Sequence, residues 1–435
     1  MSHTAASSHG AHHDPLSREN VTLAGPHPMG FTLVGVGLVL AVVALIAGFI
    51  GAGGVTLKHA LAAYHIGSTA TLAICLGAMA LVMVFHLTNA GWSATVRRQF
   101  ENVMAFTPVA ALLVLPTIAI EIATHGKLFL WLSPEWANDH LLHKKAGYFF
   151  WPQHHEPGHA TFPVFFVIRA ALYLFVWTYL SRRLWKLSVL QDATGDRFLS
   201  LKARFTSSWG ILVFALSTAF AAFDWLMALD FRYFSTMWGV YYFAGAIYCG
   251  VSVVVLILAS LRRAGKLEGV VTSEHFHDLG KLMFAFTVFW AYIAFSQYFL
   301  TWYANIPEET SYFLHRQSHG WQNLGIILMA GHFGAPFLIL IFRGVKKSYN
   351  ALTFMALWAI LMHLCDIAWI IRPMAYLPTA GDAGPGVAGV WLDAVGIAAC
   401  PLILTGFLLR KVGSGTLVAT NDPYMPESLH HKNYV

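Results

Sequence analysis

The chain has 435 residues, of which 57% are hydrophobic and only 11% charged. Soluble domains carry about 25% charged residues, so the composition excludes an ordinary water-soluble enzyme and a disordered scaffold, and points to an integral membrane protein. The formal net charge of +6 then reflects Lys and Arg held on one side of a bilayer rather than nucleic-acid binding.

Residues 1–28 are polar and contain His3, His9, His12, His13 and His27; they read as a His-rich tail. The apolar run that follows is too long for a signal-peptide core and has no cleavage pattern. A membrane-crossing helix needs about 20 mostly apolar residues. Ten such runs follow, at 29–52, 68–90, 104–124, 161–181, 208–229, 235–260, 281–303, 321–343, 351–372 and 387–409. No segment is patterned as a sheet, and an open sheet in lipid would leave backbone groups unpaired. The predicted fold is therefore all-α, a ten-span membrane domain over 29–410 followed by a second polar tail, 411–435.

Ten spans place both termini on one side. Arg97, Arg98, Arg182, Arg183, Lys186, Arg262, Arg263, Arg343, Lys346, Lys347, Arg410 and Lys411 fall on that side. The positive-inside rule makes it the cytoplasm. Two loops on the other side are long. One, 125–161, holds Trp131, Trp136, Trp151 and six histidines; the other, 304–320, holds Glu308, Glu309, His315, Arg316 and His319. Such loops are expected to lie on the interface or against a partner subunit.

Span 5 carries Asp224-Trp225 and span 9 carries Asp366 with Trp369. Both run in the same direction, which fits two repeated four-helix units, spans 2–5 and 6–9, with flanking helices. The four cysteines, Cys75, Cys249, Cys365 and Cys400, sit in apolar segments far apart. They read as small buried hydrophobes, and their spacing excludes covalent haem c and a Cys-ligated iron–sulfur cluster on this chain. No nucleotide-binding glycine loop, HExxH motif or hydrolase signature occurs.

Ionisable groups inside spans are costly and are functional candidates by default. They are His86, Glu121, Arg169, Asp224, His332, His363, Asp366 and Asp393. His363 and Asp366 are three residues apart and share a helix face. A carboxylate beside an imidazole suits a proton path, and a helix-locking polar pair is the alternative. Arg169 needs a carboxylate, with Asp224 and Glu121 the candidates by depth; the pairing could equally be a bundle-stabilising ion pair. The candidate proton path is thus Asp224, His363, Asp366, His332, Glu121 and Arg169. Only three histidines lie in spans, too few for a di-haem anchor, so haem is not expected. Span 7 runs into aromatics and then Asn-Ile-Pro-Glu-Glu. A quinone headgroup wants an apolar slot with polar groups at its carbonyls, which makes Tyr303, Gln297 and Glu308, with Asp393, candidate quinone contacts. An aromatic belt with an acidic cap is the alternative.

The segments 223–230 (FDWLMALD), 235–245 (STMWGVYYFAG) and 295–310 (FSQYFLTWYANIPEET) resemble the NrfD-like (polysulfide reductase membrane subunit) family, within it the members found in alternative complex III, a quinol:cytochrome c oxidoreductase. The resemblance covers spans 2–10 and not the polar termini. It implies two four-helix bundles with flanking helices and a cofactor-free membrane subunit of a quinol-oxidising respiratory complex in the bacterial inner membrane. It further implies menaquinol or ubiquinol as the mobile substrate. The implied partners are iron–sulfur and multihaem cytochrome c subunits, a paralogous NrfD-like subunit and lipid. The chain would contribute to quinol access, to a proton path, or to both; catalysis by it alone is not expected. Two readings from other classes stay open, a secondary transporter and a purely structural membrane anchor.

Overall fold

The computed structural model describes residues 14–318, 320–375 and 389–433. His3, His9, His12, His13 and His319 lie outside the described residues, as does the expected start of the last span at 387. Among the described residues ten helices are long and apolar enough to cross a membrane: α1 (Met29–Ile50), α2 (Leu57–Leu87), α3 (Gly91–Ala123), α4 (Val164–Thr194), α5 (Phe198–Leu229), α6 (Trp238–Arg263), α7 (Ser273–Ala304), α8 (Trp321–Leu340), α9 (Tyr349–Ala375) and α10 (Val390–Val412). Among the described residues there is no strand; one isolated bridge joins Thr22 to Thr416.

Several helices outrun their apolar windows. α2 begins at Leu57 rather than 68, because Lys58, His59 and His65 dilute the hydropathy while the backbone continues unbroken. Those residues are absorbed by packing: His59 and His65 are buried, and a His65 ring nitrogen bonds the Trp225 carbonyl at 2.8 Å. α3 is assembled from shorter helical pieces with Pro108 and Pro116 near the starts of two of them, where a missing N–H costs least.

α2 and α6 form the central seam and bury most of their surface. Their backbones touch: a Cβ on Gly77 would fall 1.9 Å from the Ala246 carbonyl oxygen, and one on Gly250 would fall 2.9 Å from the Ala78 nitrogen. Lipid offers no hydrophobic drive between helices, so close approach of this kind is what holds a membrane bundle together. α4 and α5 pair beside α2. α7 and α9 pack on α6, and α8 packs on α7 and α9. α1 and α10 pack on each other at the periphery, α1 burying Gly30, Gly37, Ala41, Ala44 and Ala47. Both groups of helices share one continuous core.

The polar ends are not loose where they are described. The Asn20 side chain donates to Pro15 and Glu268 carbonyls. The 413–433 segment crosses the same face of the bundle and buries Leu417, Val418, Ala419 and Met425. It bonds Gln99 through the Leu417 carbonyl, Thr95 through Ser428 and Asp278 through His431. We call this the terminal face. The long loop between α3 and α4 contains a short helix, His140–Phe150, and lies across the opposite face. Trp131, expected at an interface, is fully buried against Phe149, ring centroids 4.0 Å apart, while Trp151 is exposed. The loop between α7 and α8 forms a second short helix, Pro307–Arg316.

Candidate functional site

Two buried aspartates mark the two groups of helices, and their surroundings differ. Asp224 on α5 faces Arg169 on α4. The guanidinium donates from Nε to Oδ2 at 2.9 Å and from Nη2 to Oδ1 at 2.8 Å, and the Tyr173 hydroxyl donates to Oδ2 at 2.8 Å. Nη1 donates to the Tyr148 carbonyl, and the guanidinium lies 3.8 Å from the Tyr148 ring centroid. A planar fork matched to a carboxylate is the strongest neutralising arrangement available to a buried acid. Glu121, the other partner considered for Arg169, is used differently. Its carboxylate accepts from the Leu128 and Phe129 backbone N–H groups at 2.9 to 3.1 Å and fixes the turn after α3.

Asp366 on α9 has only neutral donors. The Tyr241 hydroxyl from α6 bonds Oδ1, and Trp290 Nε1 from α7 donates to Oδ2 at 3.1 Å. His363, one turn away, does not bond Asp366; its ring fills the space left by Gly245, where a Cβ would come within 3.1 Å. His332 packs on Trp290, centroids 3.9 Å apart, and on Tyr248 at 5.4 Å. It sits in a π-helical stretch of α8, Leu328–Gly334. Such bulges free a carbonyl and favour functional sites; here Trp358 Nε1 donates to the Gly331 carbonyl at 2.7 Å. All four ring nitrogens of His332 and His363 are buried without a protein hydrogen-bond partner.

Beside Asp366 lies a cavity of about 750 Å³, lined among others by Tyr241, Trp290, Gln297, Tyr298, Arg316 and Trp369, with an almost wholly apolar wall. Gln297 is buried, its Oε1 unbonded, as is the Trp369 Nε1. Arg316 has a backbone duty. Pro373 cannot donate to the Trp369 carbonyl one turn back. Arg316 Nε donates to that oxygen at 3.1 Å and Nη2 to the Ile370 carbonyl at 2.5 Å, while the guanidinium lies 3.5 Å from the Tyr312 ring centroid. Burial pushes the Tyr312 phenol well up and that of Tyr233, stacked on it at 4.2 Å, up to about 12, so both stay neutral.

Of the expected quinone contacts, only Gln297 lines this cavity. Tyr303, on the unpacked side at the end of α7, and Glu308, in the first turn of the Pro307–Arg316 helix, are both exposed. Asp393 lies on α10 and pairs with Arg372 at 2.9 Å. Of the expected proton-path residues, Asp366, His363 and His332 gather around Trp290 and Gly245, whereas Arg169, Asp224 and Glu121 are closed elsewhere. Sequence reasoning missed Tyr241, Trp290 and Arg316. Tyr241 had a signal, standing inside the 235–245 motif; the other two look like an aromatic in an apolar helix and a loop arginine.

A further cluster was also missed. On the terminal face Arg97, Arg98 and Glu101 are buried with Asp422 and Ser188, and Arg98 reaches Asp192 at 2.6 Å. It ties α3 to the end of α4 and to the 413–433 segment. Among the described residues no group of three or more metal-ligating side chains converges, and the four cysteines are free. The sequence matches no protein-family model and no curated protein.

Proposed function

We propose that this chain is a cofactor-free membrane subunit of a quinol-oxidising respiratory complex of the alternative complex III type, with both termini in the cytoplasm of a bacterial inner membrane. The observation that carries the reading is the apolar cavity beside Asp366. Its volume lies within the range of about 300–1,000 Å³ typical of small-molecule sites. Its wall suits a hydrophobic ring and tail, and Gln297, Tyr241 and the unbonded Trp369 indole N–H offer the few polar groups a carbonyl or hydroxyl head needs. Its lining includes Tyr292 and Phe295 of α7 and Ile326 and Met329 of α8, all exposed on the side of the bundle, so a lipid-soluble substrate has a lateral route to it. The electrons would leave through iron–sulfur and multihaem cytochrome c subunits, beside a paralogous NrfD-like subunit.

The test is purification through a tag on this chain in mild detergent, with identification of co-purifying subunits and a quinol:cytochrome c assay. Haem-bearing and iron–sulfur partners with quinol-dependent turnover support the reading. A lone, colourless and inactive chain overturns it. Filling the cavity with Ala294→Trp in the assembled complex is expected to lower quinol turnover at least tenfold while subunit composition stays unchanged.

A further inference from the structure

We propose that the two helix groups have divided their acids between structure and proton exchange: Asp224 is the fixed anion of an ion pair, and Asp366 is the carboxyl that gains and loses a proton, reached from the cavity through the Tyr241 hydroxyl.

The argument is geometric. A lone carboxylate in hydrocarbon is expensive, and the expense is met by a counter-ion or by taking up a proton. Asp224 has the counter-ion, met by two N–H groups of Arg169. Asp366 has none: no ion pair among the described residues includes it. The groups bonded to it are Tyr241 from α6 and Trp290 from α7, with Tyr312 of the Pro307–Arg316 helix and Cys365 on its own helix within electrostatic reach. His363 and His332 stand against Gly245 and Trp290, and neither ring hydrogen-bonds to Asp366. On α2, packed along α9, His59 bonds Thr56, Tyr64 the Leu113 carbonyl and His65 the Trp225 carbonyl. Arg316 is spent on the Trp369, Ile370 and Tyr312 carbonyls.

Tyr241 lines the cavity and bonds Asp366 at once. When a group in the cavity gives a proton to the phenol oxygen, the phenol passes its own to Asp366 Oδ1. The phenol is restored and the carboxylate becomes a carboxyl, so the proton count balances and no electron moves. Tyr173 cannot do the same for Asp224, whose second oxygen and charge are already held by Arg169.

The inference does not require the cavity to bind quinol, and its test does not use turnover. Infrared pH-difference spectra of the purified protein, with and without aspartate labelled at the side-chain carboxyl with carbon-13, report which acid exchanges. A protonated-carboxyl band that shifts with the label is expected in the unmodified protein. It should persist in Asp224→Asn, vanish in Asp366→Asn, and exchange with deuterium more slowly in Tyr241→Phe. The aspartate label separates it from Glu121. Absence of a labelled band, its survival in Asp366→Asn, or its loss in Asp224→Asn overturns the proposal. Should Asp366→Asn fail to assemble, Asp366→Glu keeps a carboxyl and must remove the label sensitivity of the band.

Discussion

Arg169 and Asp224 meet as a two-point clamp, Nε on Oδ2 and Nη2 on Oδ1, across the α4–α5 contact. Breaking a buried pair by removing one partner costs about 3–5 kcal/mol, because the remaining charge is left without compensation. Arg169→Ala is expected to destabilise the protein by about that much, read as a lowered thermal midpoint in detergent. Replacing both residues together, as Arg169→Met with Asp224→Leu, should recover most of it. A double variant no more stable than the single one would mean that the pair holds something besides itself.

Arg316 and Pro373 are coupled through one carbonyl. Hydrogen bonds to charged groups contribute about 1.5–3 kcal/mol, so Arg316→Ala should destabilise by roughly that amount. Pro373→Ala restores an N–H for the Trp369 carbonyl. In that background the Arg316→Ala penalty should shrink, giving a coupling of about 0.5–3 kcal/mol in a double-mutant cycle. Strict additivity would show that Arg316 is not there to serve that oxygen.

Gly77 admits no side chain. A Cβ there would overlap the Ala246 carbonyl, which is backbone and cannot turn aside. Overpacking costs about 1–3 kcal/mol even where side chains can shift. Gly77→Val is therefore expected to exceed that range and to prevent accumulation of folded protein in membranes. Val39→Ala on the exposed side of α1 is the control and should leave accumulation unchanged.

The loop helix His140–Phe150 should loosen in acid. Burial raises the Asp139 carboxyl's pKa, but the Arg232 guanidinium at 3.0 Å and the Leu141 and Leu142 N–H groups outweigh it and leave the value below the ordinary one. A depressed folded-state pKa gives stability that is complete above the unfolded value, about 3.9, and is lost as pH falls through the folded one. Amide exchange over 140–150 is expected to rise as pH drops from 5 to 2, after correction for intrinsic rates. Asp139→Asn should flatten that dependence; an unchanged profile would assign the pH response to another group.

The hydropathy of the chain was enough to specify the ten apolar helices, with no strand among the described residues, because over continuous apolar runs of this length a helix satisfies every backbone group within the segment. Boundaries moved where polar residues were buried by neighbours. His59 and His65 extend α2 by packing against α5 and α9, partners that no window along the chain can see. The ionisable residues that matter were also legible, since any charge in an apolar run stands out. Their pairing was not. Arg169 chose Asp224 over Glu121 because α4 and α5 face each other, while Glu121 turned to backbone N–H groups seven and eight residues ahead. Asp224 and Asp366 look alike in sequence, each followed by a tryptophan. Only the tertiary structure set one against a guanidinium and the other against a phenol and an indole beside a cavity. The difference is one of counter-charge: Arg169, 55 positions from Asp224, brings one, whereas Tyr241, 125 positions from Asp366, brings a neutral hydroxyl, and helix packing alone decides which of them arrives.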